Sequence, residues 1–403
     1  MKFDSLNDLL VIVLLESWKI MKKNNVKALL VIQFLFLFYL IINLTIYILS
    51  KKGGTEGVSL MIFGGSDDGR FYWSQVKAFL DGRGIIGTSI YPYIISYIVK
   101  ITKINDVIVI RMFNYLGFAL LIFVSIYLCK IILRYNNTAI KKDYRLIISI
   151  FFMCYLSMLM NVNLSIYRDV WIYLFYLITL TISIKLILQK KYILLLPLFF
   201  SLLILGGFRD YALLSFFTTI IVYFFLRGKK NILMVLFYSI ILFGVFYTFF
   251  IDLKLPVVEM SLKDALSYRT LGMEDLAGSS QMNIELDQSN FIYFVISFCY
   301  SFLSNFFGPF PWQISGISTL IVFLFETIPM IFIIAYIWRN RNRMNAAQIY
   351  CFLHALMWTV LISVINDNIG TATRLRALCW CIVIVVFTTL YCSESDIQKN
   401  KNQ

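Results

Sequence analysis

The feature that most constrains this chain is a succession of long apolar runs separated by short basic clusters. A helix needs about 20 apolar residues to cross the hydrocarbon core of a bilayer. Runs of about that length occur at roughly 28–50, 107–133, 146–163, 170–188, 192–208, 211–227, 231–251, 317–338, 347–366 and 375–392. Only 14% of the residues are charged, against about 25% in soluble domains. The pattern therefore predicts an all-α polytopic membrane protein with about ten transmembrane helices.

The basic clusters orient these runs, because cytoplasmic loops carry an excess of Lys and Arg. They fall at alternate ends of the runs, at 19–27, 130–145, 185–191, 227–230 and 339–343. Placing them inside predicts that both termini are cytoplasmic and that the external side is close to neutral. The net charge of +14 is then explained by topology. It does not indicate a nucleic-acid partner.

The predicted domain organisation follows from this topology. Residues 28–392 form a single transmembrane domain, preceded by an amphipathic cytoplasmic segment at 1–27 and followed by a cytoplasmic tail at 393–403. Two longer polar stretches, 51–106 and 252–316, face the outside.

Each external stretch contains sequence that can fold beside the membrane. The first carries two short helical patterns, at about 70–82 and 90–103. The second includes an apolar run at 291–308, which ends in the irregular sequence 308–312. Keeping 339–343 inside requires this run to be a re-entrant or surface-lying helix whose irregular end is shielded by protein. The alternative is that the run spans the membrane and a neighbouring run does not.

An acidic motif at 64–73 stands out against the apolar background. Its adjacent carboxylates, Asp67 and Asp68, lie in the external stretch that follows the first apolar run. Charged groups beside lipid are costly and are functional candidates for that reason. Either carboxylate can act as a general base that accepts the proton of a hydroxyl. A solvated loop or a helix cap is the structural alternative, and a divalent cation such as Mg²⁺ or Mn²⁺ is a possible companion of the pair.

Arginines provide the complementary chemistry on the same predicted face. Guanidinium groups bind phosphate oxygens in a bidentate manner, so these arginines and their neighbours are candidates for binding a substrate phosphate. The alternative is that they are interfacial anchors whose side chains reach lipid headgroups. The candidates are Arg70, Tyr72, Arg168, Asp169, Arg209, Asp210, Tyr211, Arg269, Trp312, Arg374 and Arg376.

Metal ligation by imidazole or thiolate is not indicated. The seven cysteines lie mostly in apolar runs and show no metal-ligand spacing, and the single histidine, His354, lies inside a predicted span. No metal-ligand set is predicted from these residues.

The order of motifs in the first 120 or so residues resembles the GT-C class of integral membrane glycosyltransferases. The resemblance rests on a first span, the acidic pair in 66–78, Gly82 and Gly84, the sequence 91–93 and the sequence 111–114. It implies a GT-C-like fold, a polyprenyl-phosphate-linked or polyprenyl-diphosphate-linked sugar donor, and Asp67 or Asp68 as the catalytic base. More loosely, 308–312 and 368–376 resemble multispan proteins of bacterial surface-polysaccharide assembly, of the O-antigen or capsule polymerase type.

These observations predict a transferase in the inner membrane of a bacterium, acting at its external face. Its partners are then the bilayer, a polyprenyl-linked donor, a glycan or lipid acceptor and other polysaccharide-assembly proteins. Single-sugar transfer and polymerisation of repeats both fit the residues. A transporter or flippase of lipid-linked sugars is the alternative from a different class, and a structural subunit of a polysaccharide machine is a third.

Overall fold

The structure is a computed structural model that describes residues 26–60, 68–87, 89–135, 142–226, 244, 247, 251–255, 259–275, 280–286 and 290–393. Within these ranges the secondary structure is helical and contains no strand. The chain divides into two compact units. The first consists of residues up to Arg209 with 342–348 and the residues from 384 onward, and the second of the remainder.

The first unit is built on two long apolar helices, α1 (Val26–Lys52) and α4 (Val107–Tyr135). The bounds of its other helices are α2 Asp68–Leu80, α3 Tyr91–Thr102, α5 Tyr144–Cys154, α6 Leu156–Asn163, α7 Asp169–Ile187 and α8 Tyr192–Phe208. Helix α4 packs against α7, which also packs against α8. Helix α1 packs against α5, and the two short helices α2 and α3 pack against each other.

The other helices lie wholly or partly in the second unit. The bounds are α9 Asp210–Leu226, α10 Leu262–Asp275, α11 Phe291–Phe307, α12 Ile317–Arg339, α13 Ala346–Ile365, α14 Ile369–Leu375 and α15 Ala377–Cys392. Helices α13 and α15 each have one end in the first unit. Helix α12 is a π-helix over Phe323–Thr327, which inserts one wide turn into an otherwise α-helical segment. Such turns are rare and are frequently found at functional positions.

Seven of the predicted spans coincide with membrane-type helices in the described residues. Five helices (α1, α4, α7, α12 and α13) are each long and apolar enough to cross a membrane. Two bent pairs raise this to seven if each pair is one span: α5 with α6, bent by 67°, and α14 with α15, bent by 49°. These helices are typical of a multi-pass membrane protein.

The remaining predicted spans are not confirmed. Helices α8 and α9 are apolar but have 17 residues each within the described ranges, which is about 25 Å of helix and less than the hydrocarbon thickness. Helix α11 has the same length, so the choice between a re-entrant and a spanning helix stays a prediction. Of the predicted span 231–251, only Gly244, Tyr247 and Ile251 lie within the described residues.

The two short helices predicted for the first external stretch are confirmed as α2 and α3. Helix α3 has Pro92 in its first turn, where the missing N–H costs nothing, and Lys103, which follows its last residue, is in a left-handed conformation. Helix α2 starts at Asp68, whose negative charge interacts favourably with the positive end of the helix dipole. The predicted amphipathic segment 1–27 lies almost entirely outside the described residues.

Candidate functional site

The first unit brings four predicted site residues together near a fifth, Tyr72 on α2. Tyr72 is buried, and the guanidinium carbon of Arg168 lies 6.0 Å from the centre of its ring. The charges of Arg168, Asp169, Asp68 and Arg209 all act on the Tyr72 hydroxyl. We refer to these five residues as the Tyr72 cluster.

The Tyr72 hydroxyl stays protonated at neutral pH. Burial raises its pKa to about 12, with Asp169 and Asp68 adding to the shift and Arg168 and Arg209 opposing it. A neutral tyrosine hydroxyl can donate or accept a hydrogen bond but is a poor base. The chemistry of proton removal in this cluster therefore belongs to the carboxylates.

Asp169 and Arg209 form an ion pair between the ends of two helices. Arg209 Nη1 lies 3.4 Å from Asp169 Oδ1. Asp169 is the first residue of α7, so the positive end of the helix dipole also stabilises its charge. Arg209 follows the last residue of α8 in an extended conformation, and its side chain retains 16% exposure against 2% for Asp169. The carboxylate thus holds the guanidinium from the buried side.

A buried hydrogen-bond network fixes the segment that carries Arg168. The Tyr91 hydroxyl lies 3.1 Å from both the Ile166 carbonyl and Asn114 Oδ1. Trp171 Nε1 donates to Asn114 Oδ1 at 3.0 Å, and Asn114 Nδ2 donates to the Tyr167 carbonyl at 2.8 Å. Asn114 therefore connects α3, α4 and α7 at the turn before α7.

Close packing sets the distance between α2 and this turn. Gly69 is buried in the first turn of α2, and a Cβ atom added there would lie 2.0 Å from Ser165 Oγ and 3.2 Å from the Ile166 backbone nitrogen. Only glycine allows the two segments to approach this closely. The approach brings Asp68 and Tyr72 to the segment that carries Arg168 and Asp169.

Arg111 fastens the start of the first external stretch. It is buried in α4 and donates to the carbonyls of Gly57, Val58 and Asn163 at 2.7, 2.9 and 2.8 Å. Sequence reasoning did not assign roles to Arg111 and Asn114. The available signal was their spacing, since two polar residues three apart share one face of an otherwise apolar helix.

Other polar residues of the first external stretch have separate surroundings. Asp67 lies outside the described residues. Arg70 is exposed, with its Nε 3.4 Å from Ser59 Oγ. Glu56 accepts hydrogen bonds from the Trp73 indole and, at 3.0 Å, from Lys77. The indole and then the Lys77 ammonium lower the pKa of Glu56, and partial burial opposes them.

In the second unit, Arg269 forms a buried ion pair with Asp367. Arg269 Nη2 lies 2.6 Å from Asp367 Oδ1, and the same guanidinium donates to the carbonyls of Ile284, Ser363 and Asn366 at 2.7 to 2.9 Å. Burial raises the pKa of Asp367, and Arg269 and backbone N–H groups oppose that shift. The guanidinium is fully engaged with the protein, so its role here is to hold the fold.

Arg376 is engaged in the same way. Its Nη2 donates to Glu326 Oε2 at 2.9 Å, and both side chains are completely buried. Its Nη1 donates to the Gly308 carbonyl. Phosphate binding by Arg269 or Arg376 would require these contacts to open, so we do not assign it to them.

The remaining predicted residues of the second unit have different degrees of exposure. Asp210 is exposed at the start of α9, and the ring of Tyr211 packs 5.3 Å from that of Trp358. Arg374 is half-buried in α14. Trp312 is 71% exposed and stacks on Phe310.

The carboxylates do not form a metal site in the part of the chain that the structure describes. No group of three or more His, Cys, Asp or Glu side chains in those ranges is arranged to hold a metal ion. The Asp67 carboxylate lies outside those ranges, so a cation bound with its help stays a prediction.

Comparison with known proteins gives no match: no family model, no curated protein and no solved structure is similar to this chain. The resemblance to the GT-C class therefore stays a prediction from sequence.

Proposed function

We propose that this chain is a membrane glycosyltransferase that moves a sugar, or an oligosaccharide repeat, from a polyprenyl-phosphate or polyprenyl-diphosphate donor to a glycan or lipid acceptor. The observation that carries the proposal is the Tyr72 cluster, in which the charges of two arginines and two carboxylates act on one buried hydroxyl. A phosphate leaving group requires cations, and an acceptor hydroxyl requires a base, so the cluster has the residue types that both halves of the reaction need.

In the proposed reaction, the oxygen of the acceptor hydroxyl attacks the anomeric carbon of the donor sugar. The bond between that carbon and the phosphate oxygen breaks, and the polyprenyl phosphate or diphosphate leaves with the electron pair. Asp68 or its neighbour Asp67 accepts the acceptor proton. Arg168 and Arg209 bind the phosphate as its charge increases. The Tyr72 hydroxyl donates a hydrogen bond to the same phosphate.

Different contacts hold Arg168 and Arg209 in position to bind the phosphate. Arg168 lies over the Tyr72 ring, and a guanidinium over an aromatic face is stabilised without using its N–H groups. Arg209 is held by Asp169 on its buried side. Both contacts reduce the side-chain entropy that binding a phosphate would otherwise cost.

The test measures transfer from polyprenyl-linked sugars, extracted from membranes of the native host, by the full chain in proteoliposomes. We expect Asp68→Asn or Asp67→Asn to lower kcat at least about a hundredfold, the usual scale for losing a general base. Arg168→Met and Arg209→Met are expected to raise KM for the donor as well. Arg83→Met is the matched control, because Arg83 is exposed and pairs only with Asp81 among the described contacts. Full activity of both Asp variants contradicts the proposed mechanism.

One observation favours a transporter of lipid-linked sugars as the second candidate. Glu326 lies in α12, a candidate span, and pairs with Arg376 out of contact with water. Ionisable residues within spans often belong to substrate pathways. The same proteoliposomes separate the two functions, because a transporter moves the donor across the bilayer and leaves its glycosidic bond intact. Movement without transfer by the unaltered chain favours this candidate.

A further inference from the structure

The C-terminal end of α11 is held by side chains from two other helices of the second unit. The last carbonyls of a helix have no partners within the helix and must find them elsewhere when buried. The Phe306 carbonyl accepts from Trp380 Nε1 at 3.1 Å, and the Phe307 carbonyl accepts from Thr327 Oγ1 at 2.6 Å. The Gly308 carbonyl accepts from Arg376 Nη1. Three consecutive carbonyls are thus satisfied by α12, α15 and the residue between α14 and α15.

The π turn of α12 allows two neighbouring residues to hold the C-terminal end of α11. Glu326 and Thr327 are adjacent in sequence, and both belong to the wide turn. Thr327 binds the end of α11 directly, and Glu326 binds it through Arg376, at 2.9 Å from Nη2. A wide turn that directs two polar side chains towards one helix end has a clear physical use here, since that end must be satisfied away from water.

The segment 308–313, which follows α11, is otherwise tied mainly to α11 itself. The Phe310 N–H donates to Gln313 Oε1 at 2.9 Å, and Gln313 Nε2 donates to Ser304 Oγ at 3.0 Å. Trp312 Nε1 donates to the Tyr300 hydroxyl at 2.8 Å. These contacts hold the segment together, while the contacts of Thr327 and Arg376 hold its start against α12 and the α14–α15 junction.

We propose that Glu326 and Arg376 are positioning residues that hold the segment 308–313 in place. Breaking their ion pair then detaches this segment from its neighbours while the second unit stays folded. Without Glu326 the Arg376 charge would be buried with no carboxylate beside it, which is strongly unfavourable. This free-energy cost is removed when the Arg376 side chain turns towards water. Because the same guanidinium holds the Gly308 carbonyl, that movement detaches the start of the segment. The inference does not depend on whether the chain is a transferase or a transporter.

The second unit contains a matched control in its other buried ion pair. Asp367 pairs with Arg269 and accepts the N–H groups of Asn283 and Ile284, both at 3.0 Å. Neither residue contacts the segment 308–313 in the described structure. Loss of the Asp367 charge should therefore affect the backbone at 282–284 and leave the segment 308–313 unchanged.

The experiment is hydrogen–deuterium exchange of the full chain in lipid nanodiscs, read by mass spectrometry on peptides covering 282–286 and 308–314. In Glu326→Gln we expect exchange at Gly308, Phe310 and Gln313 to rise about tenfold, the effect of losing one charge-assisted hydrogen bond. Exchange at 282–286 should stay within error. Asp367→Asn should give the reciprocal pattern.

A second variant guards against a general loss of folding. Thr327→Val keeps the side-chain shape and removes only the hydroxyl contacts, so it should raise exchange at 308–314 by a smaller factor. The proposal is overturned if Glu326→Gln leaves 308–314 unchanged, or if it raises exchange equally across the unit. It is also overturned if Asp367→Asn releases 308–314 to the same extent.

Discussion

Arg269 Nη2 lies 2.6 Å from Asp367 Oδ1, and this contact joins α10 to the turn between α13 and α14. Both side chains are almost completely buried. The pair is also surrounded by backbone partners: carbonyls accept from Arg269, and the N–H groups of Asn283 and Ile284 donate to Asp367. It therefore fixes an irregular segment that α-helical hydrogen bonding cannot fix.

We expect the two halves of this pair to differ in their effect on stability. Arg269→Met leaves a buried carboxylate without its cation, and should lower the free energy of unfolding by about 3–5 kcal/mol. Asp367→Asn keeps one oxygen acceptor and should cost about half as much, because the carbonyls around Arg269 remain. Thermal unfolding in detergent, followed by tryptophan fluorescence, measures the order.

The control for this comparison is Lys263→Ala. Lys263 pairs with Asp252 at 3.1 Å, but both side chains are mostly exposed. Exposed pairs contribute little, so this variant should leave Tm unchanged within error. Equal destabilisation by all three variants would contradict the role assigned to the buried pair.

The contact between α2 and the turn before α7 gives a second prediction. Gly69→Ala places a methyl group 2.0 Å from Ser165 Oγ, so one segment must move. Overpacking of this kind costs about 1–3 kcal/mol. Because the movement separates Asp68 and Tyr72 from Arg168 and Asp169, we also expect transfer activity to fall.

The second change Ser165→Ala tests whether this contact is the cause. It removes the oxygen nearest to the added methyl group and should restore part of both Tm and activity. The Ile166 backbone nitrogen, at 3.2 Å, keeps the rescue incomplete. If Ser165→Ala in the Gly69→Ala background restores nothing, the loss has another origin.

A pH dependence is expected from Glu56. Its folded pKa is lowered from an ordinary value of 4.5 by the hydrogen bonds from Trp73 and Lys77. A carboxyl with a lowered folded pKa adds stability that is fully present above the unfolded pKa and is lost as pH falls through the folded pKa. The stabilisation should therefore be constant at neutral pH and be lost progressively as pH falls below about 4.5 and through the lower folded pKa.

The measurement compares Tm of the unaltered chain with that of Glu56→Gln across this range. The difference should be constant at neutral pH and close to zero in acid, since both side chains are then uncharged. A difference that grows as pH falls would mean that Glu56 has a raised pKa in the folded chain, contrary to the contacts described.

The sequence predicts the helices well where one local pattern is sufficient. Apolar runs of about 20 residues give α1, α4, α7, α12 and α13, and shorter periodic patterns give α2 and α3. Breaks inside helices were not predicted. The 67° bend between α5 and α6 and the π turn in α12 lie in runs that read as continuous spans.

In the candidate site too, sequence predicts some features and misses others. Topology reasoning put Arg168 and Arg209 on the same face as the acidic motif, and in the first unit both lie at Tyr72. It did not predict that Arg269 and Arg376 pair with carboxylates, because those partners are separated by 98 and 50 residues. Local sequence contains no signal for such contacts, and an arginine available to a substrate and one already paired look alike in it.

The last prediction concerns Arg111, whose expected effect on transfer does not require contact with a substrate. Its three carbonyl partners belong to two segments, the start of the first external stretch at Gly57 and Val58 and the end of α6 at Asn163. The planar guanidinium reaches all three from one position, whereas an ammonium group is a compact donor on a flexible stem. We therefore expect Arg111→Lys to keep the charge and lose the attachment of the stretch that leads to Asp67 and Asp68.

Hydrogen–deuterium exchange at 57–60 should rise in Arg111→Lys. The kcat of transfer should fall about tenfold or more while KM for the donor stays near its original value, because a small displacement of a catalytic group lowers the rate more than it weakens binding. Arg83→Lys is the matched control, because Arg83 pairs with Asp81 at 2.7 Å and both side chains are mostly exposed. A rise in donor KM with unchanged kcat would place Arg111 in phosphate binding, and unchanged exchange at 57–60 would show that its three hydrogen bonds do not hold this stretch.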